Sequence, residues 1–146
     1  MSAPYSYQVN LDWIKERKGI LGSKVLNGQI EVATPPEFPK GMPGIWSPEH
    51  LFVASVNSCF MTTFLAIAEN SKLNFEKFEC DATGTLEKMD GKYMISKISL
   101  CPTLTLIDVN EKEKAIRVLE MSEKACLITN SVKSEIKVQS QIKMAV

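Results

Sequence analysis

A chain of 146 residues, 45% hydrophobic and 23% charged, has the composition of one soluble globular domain, residues 1–146, large enough to bury its own core. Its 17 Lys and Arg balance 17 Asp and Glu, so the basic footprint of a nucleic-acid binder is absent. The opening MSAPYSYQVN has neither the basic nor the apolar region of a secretory signal. Four cysteines without a signal then point to a reducing, cytoplasmic setting, where disulfides are transient and catalytic.

In chain order, Tyr5, Tyr7, Val9, Leu11 and Trp13 alternate with mostly polar neighbours, the pattern of a half-buried strand. Glu16-Arg17-Lys18-Gly19 makes a charged turn, and a second strand is expected from Ile20 to Leu26. Asn27-Gly28 is a strong hairpin signal before a third strand, Gln29 to Thr34. Residues 35–46, PPEFPKGMPGIW, carry four prolines and two glycines and cannot be regular structure. Their apolar Phe38, Met42, Ile45 and Trp46 are either core anchors or a wall over a pocket.

The stretch from Ser47 to Asn70 dominates the sequence. Ser47-Pro48-Glu49 is a helix start, with a hydroxyl cap, a first-turn proline and an acid at the positive dipole end. The rest is apolar on nearly every side, which predicts a helix buried all round. Its polar interruptions and lack of flanking basic residues argue against a membrane span.

Two long strands follow, one with Phe78, Cys80, Ala82, Gly84 and Leu86 on a face, the other with Ile98, Leu100, Pro102, Leu104 and Leu106. Met89-Asp90-Gly91-Lys92 joins them, and Pro102 suggests an edge position or a bulge. Asp108 or Asn110 caps a second helix to about Ala125, and Ile136 to Ile142 reads as a last strand. Hairpin links and helices between groups of strands predict an α+β fold with antiparallel sheets.

Functional side chains are few. Only Arg17 and Arg117 can supply a guanidinium, and His50 is the single histidine. Cysteines 59, 80, 101 and 126 form no CxxC pair, so a metal site lacks its usual scaffold. Cys80 falls on an apolar strand face and Cys101 on a polar one, whereas Cys59 and Cys126 sit in helices. Cys59 lies over two turns from its helix start, so a reactive thiolate there needs help from the tertiary fold.

SPEHL, the helix core from Ala54 to Phe60 and the ACLITNSVK stretch around Cys126 together resemble the osmotically inducible protein C/organic hydroperoxide resistance (OsmC/Ohr) family, in its OsmC-like subgroup. The order of elements agrees along the whole chain. The resemblance implies an OsmC-like fold with a long buried central helix and a second helix. It also implies an intertwined homodimer with active sites shared between subunits. Carried over by residue, Cys59 matches the peroxidatic cysteine, Cys126 the resolving one, Glu49 the acid that holds an arginine, and Arg17 that arginine. Leu127 stands where many members have proline.

The activity implied is reduction of organic hydroperoxides through a Cys59 sulfenic acid and a Cys59–Cys126 disulfide. A small thiol or dithiol, a lipoyl group being one candidate, would reduce that bond, and no metal, haem or flavin is required. Phe38, Met42, Trp46, Phe60, Phe64, Leu127 and Ile128 would suit a carbon-bearing peroxide. The alternative is a non-enzymatic dimeric binder of small apolar or thiol ligands with redox-sensitive cysteines. Neither reading calls for nucleic acid or a membrane. Glu49 and Cys59, ten residues apart, stand roughly 15 Å apart on an unbroken helix, which places them in different sites unless a second copy intervenes.

Overall fold

Residues 4–146 are described by a computed structural model, and they divide between Leu51 and Phe52 into two units. The first carries an antiparallel meander of β1 (Asn10–Lys15), β2 (Lys18–Gly22) and β3 (Ile30–Ala33). Glu16-Arg17 alone forms the first turn, Lys15 pairing with Lys18, and Glu16 adopts φ 52°. The strand expected from Tyr5 starts instead at Asn10, and it is not half-buried. Leu11 is 61% and Trp13 76% exposed, because among the described residues no layer covers either face of β1. The Asn27-Gly28 hairpin is also corrected. Leu21 pairs with Ile30, leaving residues 23–29 as a wide connection in which Gly28 takes φ 83°. Ser23 draws the chain off the ladder there, donating to the Gln8 carbonyl at 2.8 Å and accepting the Val25 N–H.

The proline-rich segment is irregular, as its composition requires. It is tied back by Met42 N–H to the Thr34 carbonyl at 2.9 Å and by Ala33 N–H to the Trp46 carbonyl at 2.8 Å.

Helix α1 (Pro48–Asn70) begins in the first unit and runs through the second. Ser47, fully buried, accepts the His50 N–H at 3.1 Å and so caps it. At the other end Lys72 turns left-handed (φ 55°), and Leu73 N–H reaches the Ala68 carbonyl at 2.9 Å, a Schellman closure. The helix is long and apolar enough to cross a bilayer. Its stripe of Val56, Phe60, Phe64 and Ala68 is nevertheless fixed in a protein core. It is not buried all round: Phe52 (36%), Met61 (39%) and Leu65 (42%) are exposed. One sheet and one neighbouring helix can cover only one side of a cylinder.

The second unit is built on β4 (Lys77–Met89) and β5 (Lys92–Leu106), an antiparallel pair closed by Asp90-Gly91, both at positive φ. Ile98, Leu100, Pro102, Leu104 and Leu106 form the buried face of β5, as their alternation predicts. A 3-10 turn capped by Asp108, whose carboxylate accepts the Asn110 N–H at 2.9 Å, leads into α2 (Lys112–Ala125). Ala115, Val118 and Leu119 of α2 join the α1 stripe over β5.

The expected last strand is two, β6 (Glu135–Val138) and β7 (Gln141–Met144), and both run parallel to β5, so the sheet is mixed. The crossover through α2 returns the chain to the sheet in the direction it left. Pro102 is on neither an edge strand nor a bulge. It falls in central β5 between Leu100, the last partner of β6, and Thr103, the first of β7. The irregularity in β5 lies at Ser96, where Thr85 pairs with Lys97 and Leu86 with Ile95.

Gly84 lets α1 approach β4 closely. A Cβ there would stand 2.5 Å from Val53 Cγ2.

Candidate thiol site

Cys59 projects from the start of the fourth turn of α1 and is 9% exposed; Cys126 is 2% exposed. Cys126 is the first residue beyond α2, and its ψ of 113° swings the chain out of the helix. The following residues coil into a 3-10 turn, Thr129–Ser131, with the Leu127 and Ile128 carbonyls accepting from Asn130 and Ser131. This fold-back brings two free thiols, 59 and 126, near enough for each to influence the ionisation of the other.

The two sulfurs are not equivalent. Burial pushes the Cys59 thiol up, but hydrogen bonds from the Ile128 backbone, the Cys126 thiol, the Thr63 hydroxyl and the Leu127 backbone outweigh it, and the net shift is downward. Thr63 Oγ1 stands 3.9 Å from Cys59 Sγ, one helical turn along. Cys126 moves upward: burial and its role as donor to Cys59 outweigh the help it receives from Thr129. Cys59 is therefore the sulfur that ionises first, and Cys126 remains a protonated donor beside it. Cys80 is unlike either, pushed up to about 11 by burial first and by the neighbouring Cys101 and Asp81. Cys80 is half-buried and Cys101 exposed, as the strand alternation predicts.

The remaining expected site residues scatter. Arg17 is exposed in the β1–β2 turn and Glu49 occupies the first turn of α1. Neither joins an ion pair among the described residues. Glu49 Oε1 is buried without a hydrogen-bond partner. Because α1 is continuous from Pro48 to Asn70, Glu49 and Cys59 stand about 15 Å apart along its axis. Phe38 and Met42 are half-buried in the proline-rich loop, and Trp46 is exposed, its ring edge-on to His50 at 6.2 Å.

Two expected pocket residues prove to be core. Phe60 and Phe64, 1% and 0% exposed, stack on Phe78 at 6.3 and 4.7 Å and offer no accessible wall. They lie on the sheet-facing stripe, while Cys59 sits beside it. Leu127 is 66% exposed, and half-buried Ile128 packs against the core. The sequence reading missed Thr63, Thr129 and the backbone beyond Cys126. Only Thr63, four residues after Cys59, left a signal, since i and i+4 side chains share a helix face.

The sequence model of the family described as OsmC-like protein matches residues 41–141, most of the chain and both thiols. The chain belongs to the OsmC-like protein family. No curated protein matches the sequence. Solved OsmC-like structures carry the same fold at low identity. An OsmC-like protein of unknown function from Vibrio cholerae is 21% identical, covering 94% of this chain and 99% of its own at TM-score 0.84. An organic hydroperoxide resistance protein from Elizabethkingia anophelis is 18% identical over 99% of this chain and 100% of its own, at TM-score 0.76. That of Bacillus subtilis is 19% identical, covering 95% and 98% at TM-score 0.70.

Proposed function

We propose that this OsmC-like protein is a cytoplasmic thiol peroxidase that reduces organic hydroperoxides to alcohols. The observation that carries the reading is the asymmetric pair: an ionisable Cys59 held against a protonated Cys126, 67 positions away in sequence. The organic hydroperoxide resistance proteins among its structural relatives support the choice of substrate class.

The Cys59 thiolate attacks the terminal oxygen of ROOH. The O–O bond breaks, the alkoxide leaves and takes a proton to become ROH, and Cys59 is left as a sulfenic acid. Cys126 Sγ then attacks that sulfur; its proton departs with the hydroxyl as water, and a Cys59–Cys126 disulfide forms. An external small dithiol, lipoyl groups included, returns two electrons and two protons and becomes a disulfide itself.

The working unit is a homodimer in which Arg17 and Glu49 of one subunit serve the thiols of the other. The exposed apolar residues on α1 and β1 support a covering second copy. So does the unpartnered, buried Glu49 oxygen, which wants a cation. Leu127 and Ile128, with Phe38, Met42 and Trp46, would then contact the carbon skeleton of the peroxide.

Consumption of cumene hydroperoxide with dithiothreitol tests the reading. Cys59→Ser abolishes turnover, and Cys126→Ser allows one turnover and leaves Cys59 open to over-oxidation. Full turnover by Cys59→Ser overturns the peroxidase reading and leaves the ligand-carrier alternative.

A further inference from the structure

Trp13 is 76% exposed on β1, yet its indole is engaged: Nε1–H donates to the Glu16 carbonyl at 3.0 Å. That carbonyl belongs to the peptide joining Glu16 to Arg17, at the centre of the two-residue β1–β2 turn. Two features of the ladder let the ring reach it. Between Trp13 and Lys15 the partner strand advances only from Gly19 to Lys18, so Ile14 is an extra, bulged residue. A bulge bends its strand and re-aims the side chains beside it. Opposite Trp13 stands Gly19, which has no side chain to engage the ring across the ladder.

The turn needs such a tie. Glu16 is held at φ 52°, a left-handed conformation that glycine adopts freely and glutamate does not. The peptide between Glu16 and Arg17 moves as a plane, so turning it over changes Glu16 ψ and Arg17 φ together. Arg17 φ in turn sets where the guanidinium is carried. Lys18, the next cation, is tied to Glu31 at 3.2 Å, whereas Arg17 joins no ion pair among the described residues. The backbone of the turn, and not an ion-pair partner among those residues, therefore sets the direction of Arg17.

We infer that Trp13 is a positioning residue for Arg17: its indole N–H holds the Glu16–Arg17 peptide in one orientation and so aims the guanidinium before a peroxide or a second copy arrives. With the carbonyl released, the peptide plane turns over and the guanidinium swings with it. A planar guanidinium aimed beforehand loses less freedom on engaging its partners than one carried on a loose turn. The inference rests on the reading that Arg17 serves the thiols of a second copy, but the order of the turn is measured without peroxide.

Trp13→Phe keeps an aromatic ring and removes the donor, and Trp13→Ala removes both. Because Trp13 is exposed, neither change opens a core, and both variants keep the fold. Nitrogen-15 relaxation of the reduced, full-length protein reads backbone order at Glu16 and Arg17. Both variants lower the order parameters there from a rigid value of about 0.85 to below about 0.6, and leave those of β4 and β5 unchanged. With cumene hydroperoxide and dithiothreitol, both lower kcat/KM by about fivefold, the net contribution of one intramolecular hydrogen bond. Order at Glu16 and Arg17 that survives Trp13→Phe overturns the inference. So does a Trp13→Phe protein with wild-type turnover when Arg17→Ala has none. A loss in Trp13→Ala that Trp13→Phe does not share assigns the effect to the ring and overturns it too. Wild-type turnover by Arg17→Ala refutes the shared site alone, and the relaxation measurement then still decides whether Trp13 holds the turn.

Discussion

Replacing Gly84 by alanine tests whether the approach of α1 to the sheet is set where the structure sets it. The new Cβ would lie 2.5 Å from Val53 Cγ2 and 3.4 Å from Ile95 Cγ2, whereas ordinary contact begins at 3.4 Å. About 1 Å must therefore be found between β4 and α1. Val53 cannot turn away cheaply, since a β-branched side chain in a helix has one strongly favoured rotamer. Overpacking of this kind costs about 1–3 kcal/mol, against which alanine regains about 0.5–1 kcal/mol of backbone entropy. The net expectation is a loss of about 1–2 kcal/mol. Val53→Ala in the same chain opens the space, so the double variant is less damaged than the sum of the two singles by about 1 kcal/mol or more. Urea denaturation of all four proteins, with midpoints and slopes compared, measures both quantities. A Gly84→Ala protein as stable as wild type, or strictly additive losses, would refute the close-approach argument.

Mixing Cys59→Ser with Arg17→Ala protein, both inactive alone, restores part of the peroxide turnover if subunits exchange and sites are shared; no recovery with exchange demonstrated sinks the shared site. Ser47→Ala costs about 1–2 kcal/mol in a denaturation experiment, because the buried hydroxyl serves both the His50 N–H and His50 Nδ1, at 3.1 and 2.7 Å; Ser47→Thr recovers most of it. Cys80 also makes a pH prediction. Its folded value, about 11, lies above the 9.0 of a free thiol, so the folded state binds its proton more tightly. Its stabilising contribution is complete below pH 9.0 and is lost as pH rises through about 11. Cys80→Ala should flatten that part of the stability curve, and an unaltered alkaline slope counts against the burial argument.

Much of the second unit was legible because its signals are local. The alternation at Ile98, Leu100, Leu104 and Leu106 gave the buried face of β5. Strand direction was not legible for residues 135–144: parallel pairing depends on a partner some forty positions away, and side-chain alternation is the same in either direction. The helix from Pro48 misled for a different reason. An apolar residue such as Leu65 or Met61 reads as buried whether its cover comes from the same chain or from another. Asn27-Gly28 misled because Ser23, four residues earlier, had already bent the strand away. The two-thiol site was named from family resemblance, not from spacing.

The arrangement of β5 has a consequence for how the protein is made. One flank of this long strand is paired at once by β4, its hairpin neighbour, but the other flank waits for residues 135–144 to arrive in two short pieces. Throughout synthesis of α2 and the turns after it, the backbone groups of residues 97–106 on that flank stand open beside an apolar face. An unpaired strand edge of this kind recruits other strands, including those of sibling chains. The interval between emergence of β5 and docking of β7 is therefore when nascent chains are most exposed to misassembly. Pro102, which has no N–H to offer, sits in the middle of that open flank and breaks it into two stretches too short to template a stranger well.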